Sequence, residues 1–278
     1  MADFTIHTYT AAEQGLFVNS YLVETPVGVV LVDANLLVSD ARALVARLVA
    51  LRKPLLAAFV THAHPDHFNG LPFVVGDDVP VYATAEVADT IARTAEPKRA
   101  QWQPVYGNEW PERHRVPDHR LADGDVVPVG GLEIEVHAIG AAESHADSCL
   151  VMRGGRSPAA FIGDLAFHGM HSYMADGHSA GWLRALDHLV EKLDAVVLYP
   201  GHGAPGDITI FADQRRYLLM YREAVRRLAA GSPILNDEQK QQLTEIMTQF
   251  LPEAPLGWMI GLGADPVAAE LAADLTRA

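Results

Sequence analysis

The chain has 278 residues, enough for one large domain or two small ones with a substantial buried core. Lysine and arginine total 21 against 35 aspartate and glutamate residues, which gives a formal net charge of −14. Because no concentrated basic patch offsets this charge, a nucleic-acid partner is disfavoured and a small-molecule substrate is expected.

A single cysteine, Cys149, excludes an intrachain disulfide and is predicted to be a core thiol rather than a nucleophile. The first residues show no basic region followed by an apolar stretch, and no run approaches the roughly 18 apolar residues of a membrane span. We therefore expect a cytoplasmic protein without a membrane partner. A homodimer is compatible with the sequence, but nothing in the sequence specifies it.

Short apolar, β-branched runs alternate with turn residues in the first half of the chain, a pattern typical of strands. Strands are predicted over Val18 to Val23, Val27 to Val32, Leu55 to Val60, Val79 to Ala83, Val126 to Val129 and Leu132 to Val136. Ser39 can cap a helix that runs to about Leu51, and another helix is predicted from Ala85 to Ala95.

Residues 97–120 contain two tryptophans and several prolines, and are predicted to form a long irregular segment that builds one wall of a pocket. The elements predicted beyond it are a hairpin of Cys149 to Met152 and Ala159 to Ile162 around Arg153 to Pro158, a helix from Gly181 to Leu193, and a strand from Ala195 to Tyr199. Residues 211–278 are helical in pattern, with breaks near 231–233 and 252–255. This order predicts an α+β protein with two packed sheets and outer helices.

The densest cluster of chemically reactive side chains is His62-Ala63-His64-Pro65-Asp66-His67, which directly follows a strongly apolar predicted strand. Neutral imidazole and carboxylate are good ligands for zinc and similar divalent ions. His62 and His64 can point the same way from an extended turn, while Asp66 and His67 can serve a neighbouring centre. The sequence therefore predicts a metal site at the end of this strand.

Three later residues, His145, Asp164 and His202, also follow short apolar stretches. A lone histidine or aspartate at a strand end is more often structural or solvated. Together with the first cluster, however, these residues complete a ligand set for two metal ions.

This arrangement resembles the metallo-β-lactamase superfamily, with the motifs in family order from about Val18 through His202. The resemblance implies a four-layer αβ/βα sandwich of two mixed sheets with outer helices and a helical C-terminal extension. It implies a catalytic domain over residues 1–206, and an extension over residues 207–278 packed on the same domain. The site is then expected at one edge of the two sheets.

The resemblance also implies a ligand set for two divalent metal ions, with Zn²⁺ expected and Mn²⁺ or Fe²⁺ as alternatives. One ion is assigned His62, His64 and His145, the other Asp66, His67 and His202, and Asp164 bridges the two. Two metals roughly 3.5–4 Å apart would lower the pKa of a bridging water from about 15.7 towards about 7, so that the resulting hydroxide attacks the substrate carbonyl.

Further roles are predicted around these ligands. Asp66 could orient the hydroxide and later pass a proton to the leaving group. Tyr173 or His171 could donate a hydrogen bond to the substrate, or merely order a surface loop. Asp33 could accept the free N–H of a metal-bound imidazole, or be a plain turn aspartate. The C-terminal Phe250, Trp258, Met259 and Ile260 either close over the pocket or belong to the core.

Within the superfamily, the aspartate at position 164 disfavours a true β-lactamase and favours the glyoxalase II and lactonase-like branch. We expect a hydrolase of a small ester, lactone or thioester. A glyoxalase II-type thioester hydrolase is one alternative, although the glutathione-binding signature of that family is not visible after Asp164. A mononuclear iron sulfur dioxygenase is another, and a binding protein without turnover is the third.

Overall fold

The computed structural model describes residues 2–155, 158–193 and 196–277. A mixed sheet of six strands lies on one side of the fold, and its strands are adjacent in chain order. They are β1 (Thr5–Thr10), β2 (Asn19–Glu24), β3 (Val29–Val32), β4 (Leu55–Phe59), β5 (Val81–Thr84) and β6 (His119–Leu121). The pairs from β1 to β3 are antiparallel and the pairs from β3 to β6 are parallel.

A second mixed sheet has five strands in the order β11, β10, β9, β8, β7. They are β7 (Val126–Val129), β8 (Leu132–Gly140), β9 (Asp147–Arg153), β10 (Ala159–His168) and β11 (Val197–Gly203). Only β10 and β11 run parallel to each other, and the other neighbours are antiparallel.

Helices cover the outer face of each sheet. They are α1 (Val38–Ala50), α2 (Pro65–Phe68), α3 (Leu71–Val74), α4 (Ala85–Tyr106), α5 (Ser179–Lys192), α6 (Thr209–Ala229), α7 (Asp237–Phe250) and α8 (Ala264–Arg277). Short 3₁₀ turns occur at Glu13–Gly15, Gly107–Glu109 and Gly257–Gly263. None of the helices in the described part of the chain is both long and apolar enough to cross a bilayer.

The core consists of an inner layer between the sheets and an outer layer beneath the helices on each side. Side chains alternate along a strand, so Tyr21 and Val23 of β2 face the other sheet while Leu22 faces the helices. Phe59 and Phe161 meet the same inner layer from the two sheets. The predicted four-layer sandwich of two mixed sheets is therefore confirmed.

The C-terminal helices pack on the second sheet. Phe211 of α6, Leu243 of α7 and Val267 of α8 are buried in one cluster with Ile162 of β10 and Trp182 of α5. The residues after 206 thus share a continuous apolar core with the strands that carry part of the site. The boundary at residue 206 stays a prediction.

Most predicted strands and helices lie where the sequence placed them, within a few residues, but α4 does not end at Ala95. It continues through Pro97 and Pro104 to Tyr106, although a proline inside a helix costs about 3 kcal/mol. The partly buried Trp102 and Tyr106 of the last turns pack against Trp110 and its neighbours, and this tertiary packing helps to offset that cost. The predicted irregular segment begins only after this helix.

Smaller differences concern element ends. Helix α1 begins one residue before Ser39, which does not cap it; its N–H instead donates to Glu109 Oε2 at 2.9 Å. Strands β1 and β6 were not predicted. The predicted turn from Arg153 to Pro158 and the start of the predicted strand at Ala195 fall partly on residues 156–157 and 194–195, outside the described residues.

Candidate metal centre

Six of the seven residues that the sequence nominated as ligands converge at one edge of the sandwich. His62 and His64 lie in the loop after β4, and Asp66 and His67 lie in the short helix α2 that follows it. Asp164 lies within β10 and His202 within the adjacent parallel strand β11. All six are buried, with exposures from 0% to 7%.

A first group of potential ligand atoms, all within 4.8 Å of one another, comes from His62, His64, Glu143 and Asp164. Oε2 of Glu143 lies 3.7 Å from His62 Nε2 and 3.1 Å from His64 Nδ1. Oδ2 of Asp164 lies 3.8 Å from His62 Nε2. Two imidazoles and two carboxylates form a donor set that suits zinc, manganese or iron.

The second group consists of Asp66, His67, Asp164 and His202, whose potential ligand atoms likewise lie within 4.8 Å of one another. His67 Nε2 lies 3.6 Å from Asp66 Oδ2 and 3.3 Å from Asp164 Oδ1. His202 Nε2 lies 3.2 Å from Asp66 Oδ2 and 3.3 Å from Asp164 Oδ2. Asp164 is thus common to both groups, in the place where a carboxylate shared by two metals would lie.

The close approach of β11 to Asp164 depends on a glycine. A Cβ at position 201 would overlap Asp164 Oδ1 and lie 2.7 Å from His67 Cε1. Gly201 therefore lets the backbone of β11 pass directly beside the shared carboxylate.

The structure departs from the sequence assignment at His145. Its side chain is 49% exposed, belongs to neither ligand group, and lies with Nδ1 2.7 Å from His178 Nε2. Glu143, two residues earlier and only 1% exposed, occupies the place that the resemblance assigned to His145. The first group therefore contains a carboxylate where a third histidine was expected.

The reason is the fold of the loop between β8 and β9. The Asp147 carboxylate accepts hydrogen bonds from the backbone N–H groups of Ala142 and Ser144, at 3.1 and 2.9 Å, and from the Ser144 hydroxyl at 3.0 Å. This turn directs Glu143 inward and His145 outward. The turn-forming pair of Ser144 and Asp147 was visible in the sequence and could have directed attention to Glu143.

The imidazoles of the second group are oriented by hydrogen bonds on the nitrogen that faces away from the centre. His67 Nδ1 lies 2.8 Å from Asp33 Oδ2, and His202 Nδ1 donates to the Leu16 carbonyl at 2.9 Å. Asp33 also accepts from the Thr61 N–H and hydroxyl, at 2.9 and 2.8 Å. The contact between Asp33 and an imidazole, which the sequence predicted, is confirmed, and both Nε2 atoms point inward.

His64 is placed differently, because its Nδ1 faces the centre and its Nε2 faces the supporting residue. Its Nε2 lies 3.2 Å from Asp176 Oδ2, opposite the contact of Nδ1 with Glu143. Burial alone would lower the pKa of His64, but these two carboxylates raise that pKa to about 10. Burial raises the pKa of Glu143 to about 8, against the opposing effect of His64.

The other ligand candidates show the same competition between burial and charge. Burial, followed by the neighbouring His67, lowers the pKa of His62 well below its usual range. Burial would raise the pKa of Asp164, but His202 and His67 lower it well below its usual range. A divalent ion bound here would displace protons from the imidazoles and be held by the carboxylates.

Unpaired buried atoms test whether these residues fit a metal. Within the described ranges, five buried atoms of the two groups lack a hydrogen-bond partner: His62 Nε2, His67 Nε2, Glu143 Oε1, Glu143 Oε2 and Asp164 Oδ1. Leaving a buried polar atom unpaired costs about 1–3 kcal/mol. Bound cations would satisfy all five, and the donor set therefore fits a metal centre.

A pocket that is open to solvent lies above the ligands. Its floor includes His64, Asp66, Asp164 and His202. Its walls are mainly aromatic and aliphatic and comprise Leu16, Leu36, Trp102, Tyr106, Trp110, Phe167, Tyr173, Trp258, Met259 and Leu262, with Lys98 among them. The prediction that the segment from Pro97 to Arg120 forms one wall is confirmed.

Two residues that the sequence nominated for substrate contact are separated by the fold. Tyr173 lines the pocket, with its ring centroid 5.1 Å from that of His64. His171 does not line it; its buried side chain has Nδ1 3.2 Å from the Tyr217 hydroxyl, and its ring packs on that tyrosine. Packing against α6 therefore places His171 in the core, which corrects its assignment as a catalytic candidate.

The four C-terminal residues that were expected either to close over the pocket or to belong to the core also divide between these two places. Trp258 and Met259 line the pocket, and Trp258 is 52% exposed at its rim. Phe250 packs on Tyr217 outside the pocket lining, and Ile260 is fully buried in the core. Cys149 is also fully buried, and burial raises the pKa of its thiol to about 12, so it is a core residue as predicted.

The fold and site together define an αβ/βα sandwich with a candidate centre for metal ions at its edge. The sequence model of the metallo-beta-lactamase superfamily matches residues 14–202, more than half of the chain. The chain therefore belongs to the metallo-beta-lactamase superfamily.

Solved structures with the same fold share little sequence with this chain. A metallo-beta-lactamase from Pontibacter korlensis is 21% identical, with 79% of this chain and 99% of that chain covered and a TM-score of 0.59. A beta-lactamase domain protein from Burkholderia ambifaria is 20% identical, with 98% and 86% covered and a TM-score of 0.66. A double mutant of the sec-alkyl sulfatase PisA1 is 19% identical, with 90% and 46% covered and a TM-score of 0.65. A search of curated protein sequences found no match.

Proposed function

We propose that this protein is a hydrolase that uses two divalent metal ions to cleave a small ester, lactone or thioester. The observation that carries the proposal is Asp164, a buried carboxylate common to two separate groups of ligand atoms. A carboxylate in that position is the usual means of holding two cations close together.

The first ion would be held by His62, His64 and Glu143, and the second by Asp66, His67 and His202, with Asp164 between them. Each ion would then have two imidazoles and two carboxylates, counting Asp164 twice. Zn²⁺ suits this set, and Mn²⁺ and Fe²⁺ compete for the same ligands. When bound, the two ions would polarise the scissile carbonyl and lower the pKa of a water molecule so that it can attack at neutral pH.

The chain's own residues would position the substrate and handle protons. Asp66 lines the pocket floor and presents a carboxylate oxygen that can accept the proton of the attacking water and return it to the leaving group. Burial, together with the negative charge of Asp176, raises the pKa of Tyr173, so its hydroxyl stays protonated. That hydroxyl can donate a hydrogen bond to the substrate's carbonyl or leaving oxygen.

The aromatic walls suit a substrate with an apolar body. Trp102, Tyr106 and Trp258 would exclude water from around the scissile bond and fix the substrate by stacking and shape. Such a pocket favours aryl or alkyl esters and lactones over highly polar substrates.

The experiment that tests this function combines metal analysis with a substrate panel. Protein loaded separately with zinc, manganese and iron would be assayed on an aryl ester, a lactone, a thioester, a phosphotriester and a β-lactam. An alkyl sulfate belongs in the panel because a sec-alkyl sulfatase shares the fold. We expect about two ions per chain and highest turnover on the ester, lactone or thioester.

Two results would overturn the proposal. One iron per chain with oxygen uptake on a thiol or persulfide would assign the protein to the sulfur dioxygenases instead. Two ions per chain with turnover confined to the sulfate, the phosphotriester or the β-lactam would retain the metal centre and reject the substrate class.

A further inference from the structure

The pocket that holds the candidate metal ligands contains a lysine that forms no close ion pair with any described residue, although its Nζ lies over the Tyr173 ring. Lys98 is the only lysine or arginine among the described residues that line it. Its side chain is half-buried, and within the described part of the chain no carboxylate forms an ion pair with it. By contrast, Lys53 and Lys240 pair with Glu24 and Asp265, at 2.8 and 2.6 Å.

Helix α4 places this cation on the pocket side. Lys98, Trp102 and Tyr106 are four residues apart, and side chains at this spacing share one face of a helix. All three line the pocket. The lysine is therefore part of the same wall as the aromatic side chains, and its ammonium group lies at one end of an apolar surface.

Tyr173 connects Lys98 to the metal ligands. Lys98 Nζ lies 6.0 Å from the centroid of the Tyr173 ring, and the His64 ring centroid lies 5.1 Å from the same centroid. An anionic group placed at Lys98 would thus be about one aromatic ring away from the first group of ligands. A molecule of modest size can occupy both positions at once.

An unpaired, partly desolvated ammonium group has a free-energy cost that a counter-ion removes. Among the described residues this cost is only partly offset, by the Tyr173 ring 6.0 Å from Nζ and by the charge of Asp176, which lies beyond ion-pair distance. A bound anion would supply that counter-ion.

We propose that Lys98 is a specificity residue that selects substrates bearing an anionic group, a carboxylate or a sulfate, at the end of an apolar body. This inference rests on the proposed function only in taking the pocket as the substrate site. It narrows the substrate class from small esters in general to anionic, amphiphilic ones.

Binding can be measured without turnover, because Trp102, Trp110 and Trp258 line the pocket and their fluorescence reports occupancy. The probes are 4-phenylbutanoate, its neutral amide of the same shape, and 4-phenylbutyl sulfate. They would be titrated into the metal-loaded protein and into metal-free protein, with circular dichroism to verify folding. The variants are Lys98→Met, Lys98→Arg and, as a matched control, Lys192→Met, since Lys192 is exposed and outside the pocket.

We expect the unmodified protein to bind at least one of the two anions about tenfold more tightly than the amide, the scale of one charge-assisted hydrogen bond. Lys98→Met should abolish that preference, Lys98→Arg should retain most of it, and Lys192→Met should leave it unchanged. The anion whose affinity exceeds that of the amide by the larger factor indicates whether the substrate carries a carboxylate or a sulfate.

Two outcomes would overturn the role of Lys98. One is an equal preference for anions in the Lys98→Met variant. The other is a preference that disappears on metal removal and ignores Lys98, which would place the anion on the metals. Failure of the proposed function appears separately, as absence of hydrolysis across the substrate panel while the binding preference persists.

Discussion

The two ligand groups contain the same kinds of donor but are supported in different ways. Each has two imidazoles and two carboxylates, with Asp164 counted in both. In the second group, His67 and His202 are held from behind by Asp33 and by a backbone carbonyl. In the first group, His62 Nδ1 lies 3.1 Å from the Thr61 hydroxyl and His64 Nε2 lies 3.2 Å from Asp176, but neither carboxylate oxygen of Glu143 has a hydrogen-bond partner among the described residues. The two positions therefore differ less in donor chemistry than in how firmly one ligand, Glu143, is held.

This difference predicts an order of metal loss. All four imidazoles have a hydrogen-bond partner behind them, but Glu143 has none among the described residues. Glu143 therefore loses more conformational freedom on binding an ion, and the second group should retain its metal longer. Asp33→Ala tests this order directly, and substitutions at Asp164, Glu143 and Tyr173 test the other parts of the site.

Asp164→Asn should have the largest effect, because the amide cannot replace the negative charge that both ions would share. We expect loss of both ions and a fall in kcat/KM of about a thousandfold or more. Metal content per chain, with circular dichroism as the control for folding, measures this. Two retained ions with full turnover would show that Asp164 does not join the groups.

Glu143→Ala is expected to remove the ion of the first group selectively, with a loss of activity on the order of a hundredfold. The matched control is His145→Ala, only two residues away but directed outward, which should stay within about twofold of the unmodified protein. Metal content and kcat/KM would be compared side by side. If His145→Ala lost the ion and Glu143→Ala kept it, the ligand of the first group would be His145 and not Glu143.

Asp33→Ala tests the support of the second group without removing a ligand. Loss of such a hydrogen bond typically lowers metal affinity about 10- to 100-fold. In this variant, we expect a chelator to remove the metal of the second group before that of the first group. In the unmodified protein, the first group should lose its metal earlier. Titration with a chelator followed by metal analysis gives the order, and an unchanged order would remove Asp33 from this role.

Tyr173→Phe should have the smallest effect, because Tyr173 contacts His64 through its ring but is not a ligand. We expect kcat to fall about tenfold while metal content stays at its original value, since one hydrogen bond to the substrate is lost. Steady-state kinetics on the best substrate of the panel measures this. Equal turnover in the variant would leave Tyr173 as a wall residue only.

Much of the fold could be predicted because the relevant signals are local. The strand that precedes the first histidines is a continuous apolar run, and its loop carries His62, His64, Asp66 and His67 within six residues. Helix α4 shows the opposite case. Prolines at 97 and 104 predict an interruption, but the helix continues where its partly buried aromatic side chains pack against Trp110.

By itself, the sequence determined the superfamily, the pairing of an extended histidine motif with Asp164 and His202, and the presence of a single cysteine. These depend on residue types that occur together in short segments or in a fixed order. The tertiary structure decided that Glu143 rather than His145 faces the ligands, that His171 belongs to the core, and that Lys98 faces the pocket. The physical reason is that a side chain's direction follows from how its turn or helix packs against distant elements, which residue identity alone does not encode.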